Sequence, residues 1–494
     1  MSELAPEFPA PIYAETVLAV NFKDAQQLFL DHLLEIHYAH TLMLARQRIM
    51  PVGIAQACLQ GLDHLNREKI RTAGYDSTTE DLFFFVEREL ERICGAENAG
   101  WMHTARSRND IDITLYRLRL RLDVLTAIAC LNSARGAVLA LAQEHTLTLM
   151  PAYTHTQPAQ PITFGHYLAG LAELMERDAH RLQAAFKTVN RCPLGACAIA
   201  TTGFPIDREY TAELLCFEGL QLNSYGAIAA TDYLTETAGA MATAMINLGR
   251  VAQDFLLWCT SEFGFLRLSD AWVQISSIMP QKRNPVPFEH VRALASKSLG
   301  QVQGIYLGLH NTPWGDTNDA EDDLQPTMAG VMRDGVRALK IFAAVLPDTQ
   351  VNIARMRERA HSDFLTVTEL ADTLVRHEGM SFRDAHGFVS AAVKELKGNF
   401  SHAAIADTLL RLLGARTRNT GREDFLRALD PVEFVAIRQI PGGPSEKALK
   451  PALRDLSNGL CATQTRLTEA QSKLGIMPDL IEAARKKLHE EHVL

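Results

Sequence analysis

The densest chemistry in the chain lies in one short arm, Ser276-Ser277-Ile278-Met279-Pro280-Gln281-Lys282-Arg283-Asn284-Pro285. Hydroxyls, an ammonium and a carboxamide crowd there around a Met-Pro stop. Two further stretches are comparably polar. In His103-Thr104-Ala105-Arg106-Ser107-Arg108-Asn109-Asp110, two guanidiniums, two hydroxyls and a carboxamide precede an expected helix, whose N-terminal donors complete a cradle for a carboxylate. The plainer reading is a helix cap with solvated arginines. In the turn Pro151–Pro161, His155 stands between Thr154 and Thr156. An imidazole there exchanges protons near neutral pH, or simply hydrogen-bonds the turn.

These groups suit a β-elimination. A base removes a proton next to a carboxylate, the charge spreads into that carboxylate as an aci form, and an amine departs. The doubly charged intermediate needs fixed donors, which Lys282 and Asn284 can supply. A serine hydroxyl is a poor base in water. Ser276 therefore requires a water-excluding closure and a nearby positive field to act as one.

Long amphipathic helices must position these arms. Between Ala229 and Trp258, Leu234, Ala238, Met241, Met245, Leu248, Ala252 and Phe255 recur at alternating spacings of four and three, the seam of a helix bundle. Similar patterns run through Arg108–Thr148, Ile162–Lys187 and Phe288–Gly308, and alternating β-branched runs are nearly absent. Breaks at Gly95–Asn109, Asn190–Tyr210 and Gly264–Pro287 interrupt the helices, and the first and third carry the polar arms. Loops on a rigid scaffold are where chemistry is commonly mounted. After about Val351 the helices shorten, which suggests a smaller C-terminal domain.

Composition bounds the remaining choices. With 494 residues and 47% apolar content, the chain can bury a large core. A net charge of -9 gives no general attraction to nucleic acid or anionic membrane. The eight cysteines are scattered without a CxxC pair, which reads as free thiols in a reducing compartment. The acidic start lacks a signal-peptide pattern, and no uncharged run reaches membrane-spanning length. The expectation is a cytoplasmic protein with neither nucleic acid nor membrane as a partner.

At the residues of the serine arm the chain resembles the fumarase/aspartase superfamily, whose signature usually reads Gly-Ser-Ser-x-Met-Pro-x-Lys-x-Asn-Pro. Several other segments are similar to argininosuccinate lyase: Ser107-Arg108-Asn109-Asp110, Tyr153-Thr154-His155 with Ala159-Gln160-Pro161, Thr202-Gly203-Phe204-Pro205-Ile206-Asp207-Arg208-Glu209, and the patterns around Ala371-Asp372 and Gly442-Gly443. The resemblance implies an all-α subunit of three domains: 1–106 N-terminal and helical, 107–355 a long-helix bundle, and 356–494 small and C-terminal. It implies a homotetramer whose active sites each draw loops from three subunits. The substrate is then a small dicarboxylate and one product is fumarate, without cofactor or metal. In the implied roles, Ser276 takes the Cβ proton and His155 transfers a proton with Glu289 as its charge partner. Lys282 and Asn284 stabilise the aci-carboxylate. Ser107, Arg108, Asn109 and Thr154 hold the succinyl portion, with Ser277 and Met279 also in the binding set.

The chain departs from that family in a pattern. Argininosuccinate lyases usually carry Tyr-Asn-x-Asp-x-Gln-Glu-Asp-Lys, where the stretch here is Gly315-Asp316-Thr317-Asn318-Asp319-Ala320-Glu321-Asp322-Asp323. Tyrosine becomes Gly315, glutamine becomes Ala320 and lysine becomes Asp323. The N-terminal Gly-Ser-x-Ala-His has His37 in place of its serine, Glu-Asp-Ile-His reads Glu80-Asp81-Leu82-Phe83, and the signature glycine is Ile275. By the resemblance, the positions kept are those expected to handle the proton and the reacting carboxylates, whereas most of those lost are expected to contact the rest of the substrate. A lysine replaced by aspartate reverses a charge at a carboxylate-sized contact, which points to a leaving amine more cationic than arginine or without its carboxylate. Lyases of aminopolycarboxylates built from ethylenediamine and succinate share this scaffold and exemplify such a change. The alternatives are a true argininosuccinate lyase, with Trp314, Asp316 and Asn318 taking over the lost contacts, a non-catalytic crystallin-like protein, and a dicarboxylate sensor.

Overall fold

The seam expected between Ala229 and Trp258 forms a single helix, and its seven apolar members are all buried, with Leu234, Ala238, Met241, Ala252 and Phe255 at 0% exposure. The computed structural model describes residues 8–398 and 401–493. Its site-bearing elements are α1 (Leu30–Arg46), α2 (Leu82–Cys94), α3 (Arg108–Glu144), a hairpin of β1 (Leu149–Thr154) and β2 (Gln157–Thr163), α4 (Phe164–Val189), α5 (Ser224–Ala229), α6 (Asp232–Trp258), a short ladder of β3 (Gln274–Ile275) and β4 (Arg283–Asn284), α7 (Val286–Leu309), α8 (Leu324–Val345), α9 (Glu446–Gly475) and α10 (Met477–Val493). The fold is all-α, 70% helical, as the periodicity implies.

Helices α3, α4, α6, α7 and α8 pack as one bundle: α4 lies against α3 and α6, α7 against α6 and α8, and α8 closes onto α3. Helix packing is tight where side chains are small. A Cβ added at Gly335 of α8 would stand 2.7 Å from the Met241 sulfur of α6. Aromatic rings fill the end of the bundle nearest the serine arm, with Phe255 stacked on Trp258 at 5.5 Å and edge-on to Phe288 at 5.3 Å. Truncating Phe255 to alanine would cost about 3–5 kcal/mol.

Three arginines on α3 are fully buried, and each has a partner. Arg117 donates to the Thr188 carbonyl at 2.7 Å, at the C-terminal end of α4, where a guanidinium satisfies orphan carbonyls and the helix dipole. Arg121 donates to the Leu215 carbonyl at 2.8 Å, and Arg135 pairs with Glu176 at 3.1 Å. By length and apolarity α3 matches a membrane span, but 67% of its most apolar window is buried inside the protein.

A small group of shorter helices has its own core, which includes Leu370, Leu374, Leu409 and Phe425. The last two helices share the bundle's core instead. Leu449, Leu467 and Leu474 of α9 and Ile481 and Leu488 of α10 belong to the large hydrophobic cluster, with α9 against α3 and α4 and α10 against α1. Residues 356–494, expected together, thus divide their packing between two cores.

Candidate active site

The start of α3 is anchored from below by Asp110. Its Oδ1 accepts the Ser107 N–H at 2.9 Å, and its Oδ2 accepts the N–H groups of Gly195 and Cys197 at 2.8 and 2.9 Å. A carboxylate at the N-terminus of a helix also meets the favourable end of its dipole. Gly195 sits at φ +87°, with Arg208 Cγ 2.6 Å from where a Cβ would stand, so glycine is required for its N–H to reach Asp110. The buried Asp110 therefore ties the first polar arm to the break at Asn190–Tyr210.

Above that anchor, Ser107 Oγ donates to Asn109 Oδ1 at 3.0 Å. Asn109 Nδ2 donates to Asp316 Oδ2 at 2.7 Å and to the Ala198 carbonyl at 3.2 Å. Arg108 pairs with Asp81 at 2.8 Å and Glu80 at 3.3 Å. Burial opposes its charge, but Asp81, Asp112 and Glu80 outweigh burial and hold the guanidinium more firmly protonated. Asp81, Arg108, Asp112, Tyr116, Phe83 and Asp322 line a cavity of about 50 Å³. Burial, with Asp81, Asp322 and Asp316 nearby, raises the Asp112 carboxyl well above its usual range. Glu321 hydrogen-bonds Asp316, and burial together with that neighbour pushes its pKa up to about 9.

Arg106, the first guanidinium of the arm, faces inward. Its side chain is fully buried, and Nη1 donates to His37 Nδ1 at 2.8 Å. His37 and Phe83 are buried too, with ring centroids 5.9 Å apart, and the Arg106 guanidinium lies 5.6 Å from the Phe83 ring. Burial, reinforced by Arg106, holds the His37 imidazole well below its ordinary pKa and hence neutral. These two departures from the family pattern therefore pack against one another and against Arg106, turned away from solvent because the core faces of α1 and α2 carry them.

The proline-rich turn is a β-hairpin. Thr154 pairs with Gln157, leaving His155 and Thr156 as its two-residue tip, at φ +50° and +62°. Positive φ at both tip residues is the type I′ pattern, which favours Asn and Gly. A histidine and a threonine there cost roughly 1–2 kcal/mol each. Thr154 and His155 are exposed.

The serine arm closes on the β3–β4 ladder, in which Gln274 pairs with Asn284 and Ile275 with Arg283. Asn284 Nδ2 donates to the Gln274 carbonyl at 2.9 Å, and Arg283 is pinned to Asp270 at 2.5 Å and to the Leu268 carbonyl at 2.8 Å. Inside the arm, Ser276 Oγ accepts the Met279 N–H at 3.1 Å and the Ile278 N–H at 3.4 Å. Lys282 and Ser277 are exposed and Ser276 is half-buried. Met279, Lys282, Asn284, Cys259, Arg267 and Gln350 line a cavity of about 950 Å³ behind the arm. Glu289 is exposed in the first turn of α7.

Within the chain, the first arm and the 315–323 segment come together through Asn109 and Asp316. Among the described residues no hydrogen bond or ion pair joins His155 to Glu289, or either of them to Ser276. Of the segment's altered positions, Ala320 is buried and Asp323 is exposed just ahead of α8, while Gly315 lies beside Tyr225. Sequence reasoning did not find Tyr225. No local motif marks it, and only the fold carries it across to Gly315. Asp110 had a signal, three residues into the helix from a serine cap, although its grip on Gly195 and Cys197 had none.

A lyase family profile matches residues 27–304, and a profile for the argininosuccinate lyase C-terminal region matches residues 364–436. Argininosuccinate lyase 2 of Agrobacterium fabrum is 40% identical over 454 residues, covering 90% of each chain. Argininosuccinate lyase of Methanothermobacter thermautotrophicus is 35% identical, covering 86% of this chain and 92% of its own. Among solved structures, an EDDS lyase in complex with formate is 30% identical with a TM-score of 0.86, covering 97% of this chain and 96% of its own. A class II fumarase from Schistosoma mansoni, 16% identical with a TM-score of 0.69 over 86% of this chain and 92% of its own, shares the fold. The chain is a carbon–nitrogen lyase of the argininosuccinate lyase group, within the fumarase/aspartase superfamily.

Proposed function

We propose that this fumarate-releasing lyase acts by reversible β-elimination on an N-substituted aspartate whose amine is not arginine. The observation that carries the chemistry is the pair of backbone N–H groups, of Ile278 and Met279, directed at Ser276 Oγ. Donors aimed at a hydroxyl oxygen favour its alkoxide form, which converts a poor base into a competent one. Ser276 then takes the Cβ proton. The C–H electrons pass into the adjacent carboxylate as the aci form, with Lys282 and Asn284 as donors to it. Collapse of that intermediate makes the carbon–carbon double bond and breaks the Cα–N bond, and the amine takes a proton from His155 as it leaves. Ser107, Asn109 and Thr154 hold the succinyl portion, with Ser277 and Met279 in the same set. Arg108 belongs to that group by family pattern, although its acidic partners already engage it in this chain.

A homotetramer with shared sites fits two observations. His155 and its expected partner Glu289 are both exposed and unjoined within the chain, and α6 and α7 expose Ile246, Leu257, Tyr306 and Leu307. We divide the subunit so that the small C-terminal unit ends before Ser445, since α9 and α10 pack with the bundle. Eight unpaired cysteines fit a cytoplasmic setting.

The changed amine is supported by the ligand-poor character of positions 315 and 320 and by the carboxylates of Asp316, Glu321, Asp322 and Asp323 around them. The second reading, true argininosuccinate lyase, is favoured by the 40% identity to argininosuccinate lyase 2. Growth of the fumarate absorbance band on adding argininosuccinate and a panel of N-(aminoalkyl)aspartates separates the two. Faster turnover of the aminoalkyl compounds supports the first reading, faster turnover of argininosuccinate supports the second, and silence with all of them defeats both.

A further inference from the structure

At Gly315, where the family's segment carries tyrosine, a Cβ would find one atom from outside the local chain within 4 Å: the phenolic oxygen of Tyr225, at 3.9 Å. Tyr225 comes from the first turn of α5, far from this segment in sequence. Its hydroxyl donates to the Trp314 carbonyl at 2.7 Å, and the two rings stack with centroids 6.4 Å apart and planes 27° apart. Both rings remain open, Tyr225 at 44% exposure and Trp314 at 64%.

An open stacked pair is an unusual use of two large aromatic side chains, which ordinarily gain their stability from burial. Its neighbours give it a chemical sense. Asp316, next in the chain to Gly315, is tied to Asn109, and Glu321 is hydrogen-bonded to Asp316. Aromatic faces beside carboxylates form a receptor for an organic cation, since the ring quadrupole and the anionic oxygens attract the same charge. A phenol that has donated its proton to a carbonyl still has lone pairs to accept an ammonium N–H.

We propose that Tyr225 is a specificity-determining residue that, with Trp314, forms the wall receiving the cationic end of the leaving amine. This rests on the lyase reading given above. Tyr225 supplies from α5 the aromatic hydroxyl that Gly315 lacks, but presents its ring in a different orientation. A cation without an α-carboxylate suits that wall better than arginine, because the Asp316 carboxylate repels a second carboxylate.

The test reads binding and turnover separately. Titration of the whole enzyme with 1,2-diaminoethane, butylamine and arginine is followed by tryptophan fluorescence, with Trp314→Phe identifying the reporter. The expected result is quenching that is strongest for the diamine, absent in Trp314→Phe, and weakened about tenfold in Tyr225→Ala, with Tyr225→Phe between them. In the addition direction, Tyr225→Ala should raise KM for the diamine by about as much and leave KM for fumarate within about twofold. An amine response unchanged in Tyr225→Ala, equal rises in both KM values, or no quenching by any amine would overturn the assignment. If the diamine binds through Tyr225 yet forms no adduct with fumarate, the lyase reading of the substrate fails while the cation wall stands.

Discussion

Asn109 donates to Asp316 at 2.7 Å, which joins the polar arm at the start of α3 to the segment that departs most from the argininosuccinate lyase pattern. The end of the site that is retained and the end that is altered are thus one hydrogen-bonded unit. A change at Asp316 should be felt at both ends. Asp316→Ala is expected to raise KM for the amine and for fumarate together in the addition direction, unlike Tyr225→Ala, and steady-state kinetics with each substrate varied in turn checks this.

Asp110 is the second anchor of that arm. Replacing it with alanine leaves the N–H groups of Gly195 and Cys197 without their acceptor in a buried place, and such losses cost about 1–3 kcal/mol apiece. Asp110→Ala should therefore lower stability by about 2–6 kcal/mol, seen as a fall in the urea midpoint with little change in slope.

Glu321 gives the stability a defined pH dependence. Its pKa rises from an ordinary 4.5 to about 9 through burial and the neighbouring Asp316. Between those values the folded protein holds a proton that the unfolded chain releases, so stability falls as pH rises through that window. Glu321→Gln should flatten that decline, which melting curves across the window will reveal. Binding of a cation beside the pair should also release protons near neutral pH, measurable as buffer-dependent heat in calorimetry.

Asp323 is exposed just ahead of α8. Lysine there meets the unfavourable end of the helix dipole, so Asp323→Lys should cost roughly 0.3–1 kcal/mol of stability. It also returns the positive charge that the family carries at the aligned position. Activity with argininosuccinate is expected to rise on the order of tenfold while activity with aminoalkyl aspartates falls, as competition assays would register.

Much of this architecture was legible because helix periodicity is local. The seam from Leu234 to Phe255 is buried as its spacing implies, and the polar arms lie at the helix breaks. Pro151–Pro161 reads as a turn, and the structure makes it a hairpin because its flanks pair across Thr154 and Gln157. Side-chain direction was harder. Arg106 and Arg108 are two residues apart, yet one is sealed against His37 and the other pairs with Asp81, a difference set by α1 and α2 and not by the arm itself. Tyr225 lay beyond sequence reasoning altogether, since its partner Gly315 is identified by what it lacks.

The most direct measurement of the central claim is mass analysis of fumarate incubated with 1,2-diaminoethane and the enzyme, wild type against Ser276→Ala. The account predicts an adduct of summed mass with the wild type and a rate lower by about 10²–10⁴-fold in the variant, whose helical content stays intact by circular dichroism. No adduct with the wild type, or equal rates in the two proteins, would contradict it.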